Sequence, residues 1–283
     1  MEGVITGRAM RPPRVVLYGK DGVGKTTFAA GADRPIFLPT EEGADEVGVD
    51  RFPLLDTFPV FLSALGKVAK GGHDYGTVVV DSLDWLERLI FADVAKEKGV
   101  SSIEDIGYGK GYFFAVDKWR RVLTGLDVCR ANGLCVILLA HAQIKRFDSP
   151  EVEPYDRYCL KLKDSAGALV REWADVVAFA TDDVVVKKAD VGFNNTVTRG
   201  QSSGRRSLRL VERPAYDAKN RYGLPDSIPF PREGAWQAFL ASFEKAESKA
   251  SVRAIVKTAE QKNDNGESNS AGAQKEEVAD GAA

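Results

Sequence analysis

The sequence predicts an α/β fold, a mostly parallel β-sheet flanked by helices, and three observations carry that expectation. First, Gly19-Lys20-Asp21-Gly22-Val23-Gly24-Lys25-Thr26 has the spacing of a phosphate-cradling loop, set between the apolar run Arg14 to Tyr18 and the Ala-rich start of a helix, Thr27 to Ala30. Second, short β-branched runs alternate with stretches of helical spacing, the pattern of strands covered on both faces. Third, one of those runs, Thr77 to Val80, ends in a carboxylate, Asp81.

Along the chain, residues 1–13 end in Arg11-Pro12-Pro13 and form an arm ahead of the first strand. Pro35 to Leu38 is a second short strand, closed by Pro39-Thr40-Glu41-Glu42-Gly43. Phe58, Phe61, Leu62, Leu65 and Val68 lie on one face of a helix over 57–70, which Gly71-Gly72 ends. After the 77–80 strand, Leu83, Leu86, Leu89, Ile90 and Val94 mark the next helix. Val116, Trp119, Val122, Leu123 and Leu126 mark another, before the most apolar strand of the chain, Leu134 to Ala140. The polar stretch Phe147 to Asp164 reads as a long functional loop. Asp175 to Ala180 resumes the sheet, Val184 to Val186 pairs with it, and 192–204 is a flexible excursion before a strand from Ser207 to Glu212. A helix built on Trp236, Phe239, Leu240 and Phe243 closes the domain, which spans 14–249. Residues 250–283 are expected to be a disordered acidic tail, because 259–283 hold six acidic and two basic residues and little apolar surface to bury.

Composition narrows the function. A formal net charge of −2 gives no global field for polyanions, so a nucleic-acid partner would be held by local patches. Cys129, Cys135 and Cys159 have no metal-ligand spacing and read as buried thiols. No apolar stretch is long enough to cross a membrane, and a cytoplasmic location follows.

The chemistry gathers on the phosphate loop. A phosphate chain is densely negative, and glycines let the backbone curl until successive N–H groups point at it. Gly19 to Thr27, that is Gly19, Lys20, Asp21, Gly22, Val23, Gly24, Lys25, Thr26 and Thr27, are therefore read as the nucleotide-binding residues. Lys25 reaches the β- and γ-phosphates, while Thr26 and Asp81 hold a Mg²⁺ ion shared with the nucleotide. Ser82 rather than a glutamate follows Asp81. The water-orienting base is therefore sought at Glu41 or Glu42, with Glu41 preferred. A polar side chain at the end of the 134–140 strand can bond the γ-phosphate, Gln143 first and His141 second. Arg199 to Arg221 holds seven basic and two acidic residues. Within it, Lys219 and Arg221 could reach a triphosphate on a neighbouring subunit. Tyr108, Lys110 and Tyr112 on one loop and Lys145 and Arg146 on another mix aromatics with cations, as single-strand binders do. No Asn-Lys-x-Asp guanine-reading motif occurs, which disfavours a GTPase.

Taken together, residues 14–230 resemble the RecA-type recombinase core, and more narrowly the small phage-encoded nucleotide-binding ATPases, some of them single-strand annealing recombinases. Val78 to Ser82 is similar to the Mg²⁺-binding strand, and Thr40 to Gly43 to the turn carrying the catalytic glutamate. Gln143-Ile144-Lys145 is similar to the glutamine switch, and Lys219-Asn220-Arg221 with Pro225 to the segment acting in trans across a filament. The resemblance implies a RecA-like fold, Mg²⁺-dependent ATP hydrolysis, single-stranded DNA as partner, and a homo-oligomer with trans contacts to ATP. A single-strand binding or replication protein is a further expected partner. The alternatives are a RecA-like ATPase that loads or regulates a replication protein, and a small-molecule or nucleotide kinase.

Overall fold

In a computed structural model, residues 11–190 and 196–246 of the chain are described. Alternation along the strands decides how the molecule layers. In β1 (Arg14–Gly19), Val16 and Tyr18 face one side of the sheet and Val15 and Leu17 the other, all fully buried. The same split recurs in β2 (Pro35–Pro39), β4 (Thr77–Asp81) and the first half of β5 (Cys135–Phe147). Both faces of these strands therefore need a cover, which is why they read as unbroken apolar runs.

The first face is covered by α2 (Phe58–Ala69), α3 (Leu83–Glu97), α4 (Lys110–Ala131) and α5 (Asp164–Trp173), through Phe61, Leu65, Leu86, Ile90, Trp119, Leu126 and Val170. The second is covered by α1 (Lys25–Ala30) and a closing helix α6, described over 235–246. There the Phe28 ring packs 5.3 Å from Trp236 and 5.5 Å from Phe239. A β3 of two residues (Asp50–Arg51) ends the sheet beside β2, and the parallel order runs β3-β2-β4-β5-β1-β7, with β7 spanning Val176–Asp190. Beyond β7 the sheet turns antiparallel through β8 (Thr196–Arg209) and β10 (Ser227–Pro229), while β9 (Lys219–Asn220) caps the start of β7. The expected mostly parallel sheet with flanking helices is what the structure shows.

Three expectations change. Phe147 to Asp164 is not one long loop, because β5 continues past Ala140 to Phe147 and pairs antiparallel with β6 (Tyr155–Leu160). Val184 to Val186 belongs to β7 itself, and its partner β8 begins at Thr196 within the supposed excursion. Past Ala140 the β5–β6 hairpin runs beyond the sheet core, with Ile144 exposed, and leaves little alternation to read. Leu240, expected in the core, is 44% exposed, and Cys135 and Cys159 are only half-buried. Residues 1–10 of the arm and the 250–283 tail lie outside the described residues. No described helix is long and apolar enough to cross a membrane.

Candidate nucleotide site

The phosphate loop leaves the end of β1 and is shaped by its glycines. A Cβ on Gly19 would fall 2.5 Å from the Ala180 carbonyl oxygen, so nothing larger fits beside β7. Gly24 has φ 102°, which L side chains rarely adopt, and it turns the chain into α1. Lys25, the first residue of that helix, is buried and folds back so that Nζ donates to the carbonyls of Gly19 at 3.3 Å and Lys20 at 3.0 Å. Burial holds its pKa below the ordinary lysine value.

Parallel pairing brings the acids to the same edge. β2 and β4 are neighbours, and at their ends Thr40 N donates to the Asp81 carbonyl and Thr40 Oγ1 to the Ser82 carbonyl, both at 2.7 Å. This clasp sets Glu41 and Glu42 beside Asp81, with Glu41 half-buried and Glu42 exposed. Thr26 Oγ1 donates to Asp81 Oδ2 at 2.9 Å. Burial raises the pKa of both Asp81 and Glu41.

A cavity of about 370 Å³ lies among these groups, lined by loop residues Asp21, Gly22, Gly24, Lys25, Thr26 and Thr27 and by Glu41, Glu42, Asp81 and His141. Thr26 and Asp81 present adjacent hydroxyl and carboxylate oxygens, hard donors that suit Mg²⁺, a cation that takes few protein ligands and fills its shell with phosphate and water. Carboxylates outnumber Lys25 here, so a divalent cation would also offset their repulsion of a triphosphate.

The polar group that β5 brings to this cavity is His141, not Gln143. The Gln143 amide Nε2 donates to the carbonyls of Leu160 at 2.7 Å and Leu162 at 3.2 Å and braces the β5–β6 hairpin. His141 Nδ1 instead lies 2.9 Å from Asp84 Oδ2, and its Nε2 lies 3.1 Å from Asp21 Oδ1 on the phosphate loop. The bond to Asp84 raises the His141 pKa. For Asp84, burial pushes upward, but the bonds from His141 outweigh it and hold the carboxyl below its usual range.

Lys219 and Arg221 lie at the opposite end of the sheet, since β9 pairs with the first residues of β7. Lys219 Nζ donates to the carbonyls of Arg171 and Glu172, both at 2.7 Å. Arg221 pairs with Asp175 at 3.3 Å. Within the chain they close the C-terminal end of α5 rather than face the phosphate loop. Of the supposed strand-binding residues, Tyr108 is 98% exposed and Lys110 is exposed at the start of α4. Tyr112 is not free to stack a base, because its ring packs edge-on 5.5 Å from Phe91 under a Lys163 ammonium 4.3 Å away. Lys145 pairs with Asp164, and Arg146 with Asp148 at 3.5 Å.

Two residues at the site carried no expectation. Asp84 was visible only as a lone acid in the first turn of an apolar helix. Arg206 was one of many cations in a basic run, and yet its Nη1 donates to the Val23 carbonyl of the loop at 2.5 Å.

The AAA domain family model matches residues 11–222. A relative, the SPβ prophage-derived uncharacterized protein YorG of Bacillus subtilis strain 168, is 20% identical over 260 residues, covering 89% of this chain and 73% of its own length. Among solved structures, similarity is found to the RadB recombinase, at 16% identity and a TM-score of 0.40, over 79% of this chain and 90% of that one. It is also found to a KaiC-like protein of Pyrococcus horikoshii OT3, at 15% identity and a TM-score of 0.39, over 80% and 88%.

Proposed function

Because the chain belongs to the AAA domain family, we propose that it binds ATP with Mg²⁺ on the loop Gly19 to Thr27, hydrolyses it, and acts as a RecA-like ATPase on single-stranded DNA in phage recombination or annealing. The observation that carries this reading is the convergence of Lys25, Thr26, Asp81, Glu41 and His141 on one cavity. Lys25 swings from the loop carbonyls to the β- and γ-phosphates, offsetting their charge. Thr26 and Asp81 would hold the metal, which supplies charge neutralisation at the phosphate oxygens. Glu41, half-buried at the clasped end of β2, orients the attacking water and takes its proton. His141, aimed by Asp84, donates Nε2–H toward the terminal phosphate.

The prophage-derived relative supports the phage setting. Exposed Tyr108 and Lys110 support contact with a single strand. The test is ATP hydrolysis with and without single-stranded DNA at low and moderate salt. Stimulation that fades with salt is expected, because phosphate contacts release counterions. A second reading, the same ATPase serving a replication protein, is favoured by one observation: Lys145 and Arg146 are each matched by a carboxylate. Hydrolysis indifferent to DNA would select it.

A further inference from the structure

The sheet order gives the nucleotide a direction. Asp81 and Glu41, which face the terminal phosphate, stand at the ends of β4 and β2, on one side of β1. A triphosphate seated on the loop must therefore run its other end toward β7 and β8, on the opposite side. There lies the larger cavity, about 720 Å³, lined by Asp182, Arg206, Ile228, Pro229 and Phe230 among others. It abuts the loop directly: a Cβ on Gly24 would come within 3.1 Å of Arg206 Nη1 and 3.8 Å of the Phe230 ring.

Its chemistry is unspent. The Arg206 guanidinium sits 5.3 Å from the Phe230 ring centroid and spends a hydrogen bond on the neutral Val23 carbonyl. Among the described residues it has no carboxylate partner. Asp182 stands directly across from Arg206 in the β7–β8 register, on the same face, yet the two do not pair. By contrast, Asp183 is engaged by Ser207 Oγ and Arg209 Nη2, each at 2.8 Å.

We propose that this cavity is the nucleoside subsite of the nucleotide site, an inference that rests on the ATP-binding reading above. The base stacks on the wall made by Phe230 and Arg206. Asp182 accepts from the ribose hydroxyls or an exocyclic amine, and Arg206 turns a free N–H to the α-phosphate. The volume is in the range of small-ligand sites.

The test uses the full chain with Mg²⁺ and an ATP photoprobe whose azide is on the base, followed by peptide mapping. ATP and inorganic tripolyphosphate are titrated in parallel against wild type and Ser227→Trp, which places a bulky ring in the cavity from the edge strand. Label within 204–207 or 227–232 is expected. In Ser227→Trp an ATP affinity about tenfold lower is expected, with tripolyphosphate unchanged. Label elsewhere that Lys25→Ala abolishes overturns the subsite and leaves the phosphate loop standing. An equal loss for both ligands in a Ser227→Trp variant that melts like wild type also overturns it. If wild type binds neither ATP nor tripolyphosphate, the ATP-binding reading fails and the subsite falls with it.

Discussion

Replacing Asp84 by Asn removes the charge that aims His141, and the geometry sets both the size of the loss and its pH window. Asp84 is buried and accepts from Ser82 Oγ at 3.1 Å, His141 N at 3.1 Å and His141 Nδ1 at 2.9 Å. His141 is held above its ordinary pKa and Asp84 below its own, so the charged pair stabilises the fold between the two. That contribution is complete below the unfolded histidine value and is lost as pH rises through the raised folded one. It is lost again as pH falls through the depressed aspartate value. A hydrogen bond to a charged group contributes about 1.5–3 kcal/mol, a neutral one about 1. Asn keeps one acceptor but turns an NH₂ toward donors. Asp84→Asn should therefore cost about 2–3 kcal/mol near pH 6 and about 1 kcal/mol near pH 9. Urea unfolding at both pH values, with an unchanged m-value, measures it. The alkaline limb of the ATPase profile should also move to lower pH, as His141 loses its raised pKa. Equal losses at the two pH values, or none near pH 6, would refute the charged pair.

At the nucleotide loop, Lys25→Ala should lose ATP binding, while Glu41→Gln should bind ATP and lose at least ~10²-fold in turnover, read by filter binding and phosphate release. Full turnover in Glu41→Gln would move the base to Glu42. At the far end of the sheet, Asp175 takes bonds from Arg14, Arg130 and Arg221 around one buried carboxylate. Asp175→Asn should cost about 3–5 kcal/mol, whereas Arg221→Ala, on a half-exposed side chain, should cost under about 1 kcal/mol. A collapse of turnover in a fully stable Arg221→Ala would instead favour a role in trans. Burial pushes the Glu87 carboxyl up to about 7 from 4.5. Since the folded state resists its ionisation, stability should fall by up to roughly 3 kcal/mol between those pH values. Glu87→Gln should flatten that slope in chemical unfolding, and an unchanged slope would exclude Glu87 as its source.

What could be read before the structure was what burial imposes on sequence. Val15 to Tyr18, Val78 to Val80 and Leu134 to Ala140 must be apolar because both faces of their strands are covered, so their places in the sheet were legible. The ends of the 77–80 strand and of the 35–38 strand then brought Asp81 and Glu41 to the loop without further information. The β5–β6 hairpin and the outer part of β7–β8 escaped notice because main-chain ladders can run through polar sequence such as Lys145-Arg146 and Thr198 to Ser203. That omission misplaced the rest: Gln143 was assigned to the phosphate although the hairpin ladder turns its amide to Leu160, and Arg206 was overlooked because its strand was expected to begin only at Ser207. Lys219 and Arg221 fitted a motif, but only the β9 pairing reveals which end of the sheet they occupy.

β5 is one uninterrupted strand, with its first half locked between β1 and β4 and its second half in the hairpin. His141 sits at the changeover, with the phosphate loop on one side of its ring and Asp84 on the other. A strand cannot absorb a rotation in the way a loop does, so the hairpin has the geometry of a lever with its fulcrum beside the phosphate loop. From His141 to Phe147 the arm is roughly 20 Å at about 3.3 Å per residue, so a tilt of about 5° at the fulcrum moves its far end by about 2 Å. Lys145 and Arg146 ride on that arm. A change at one histidine ring would thereby be geared up at Lys145 and Arg146.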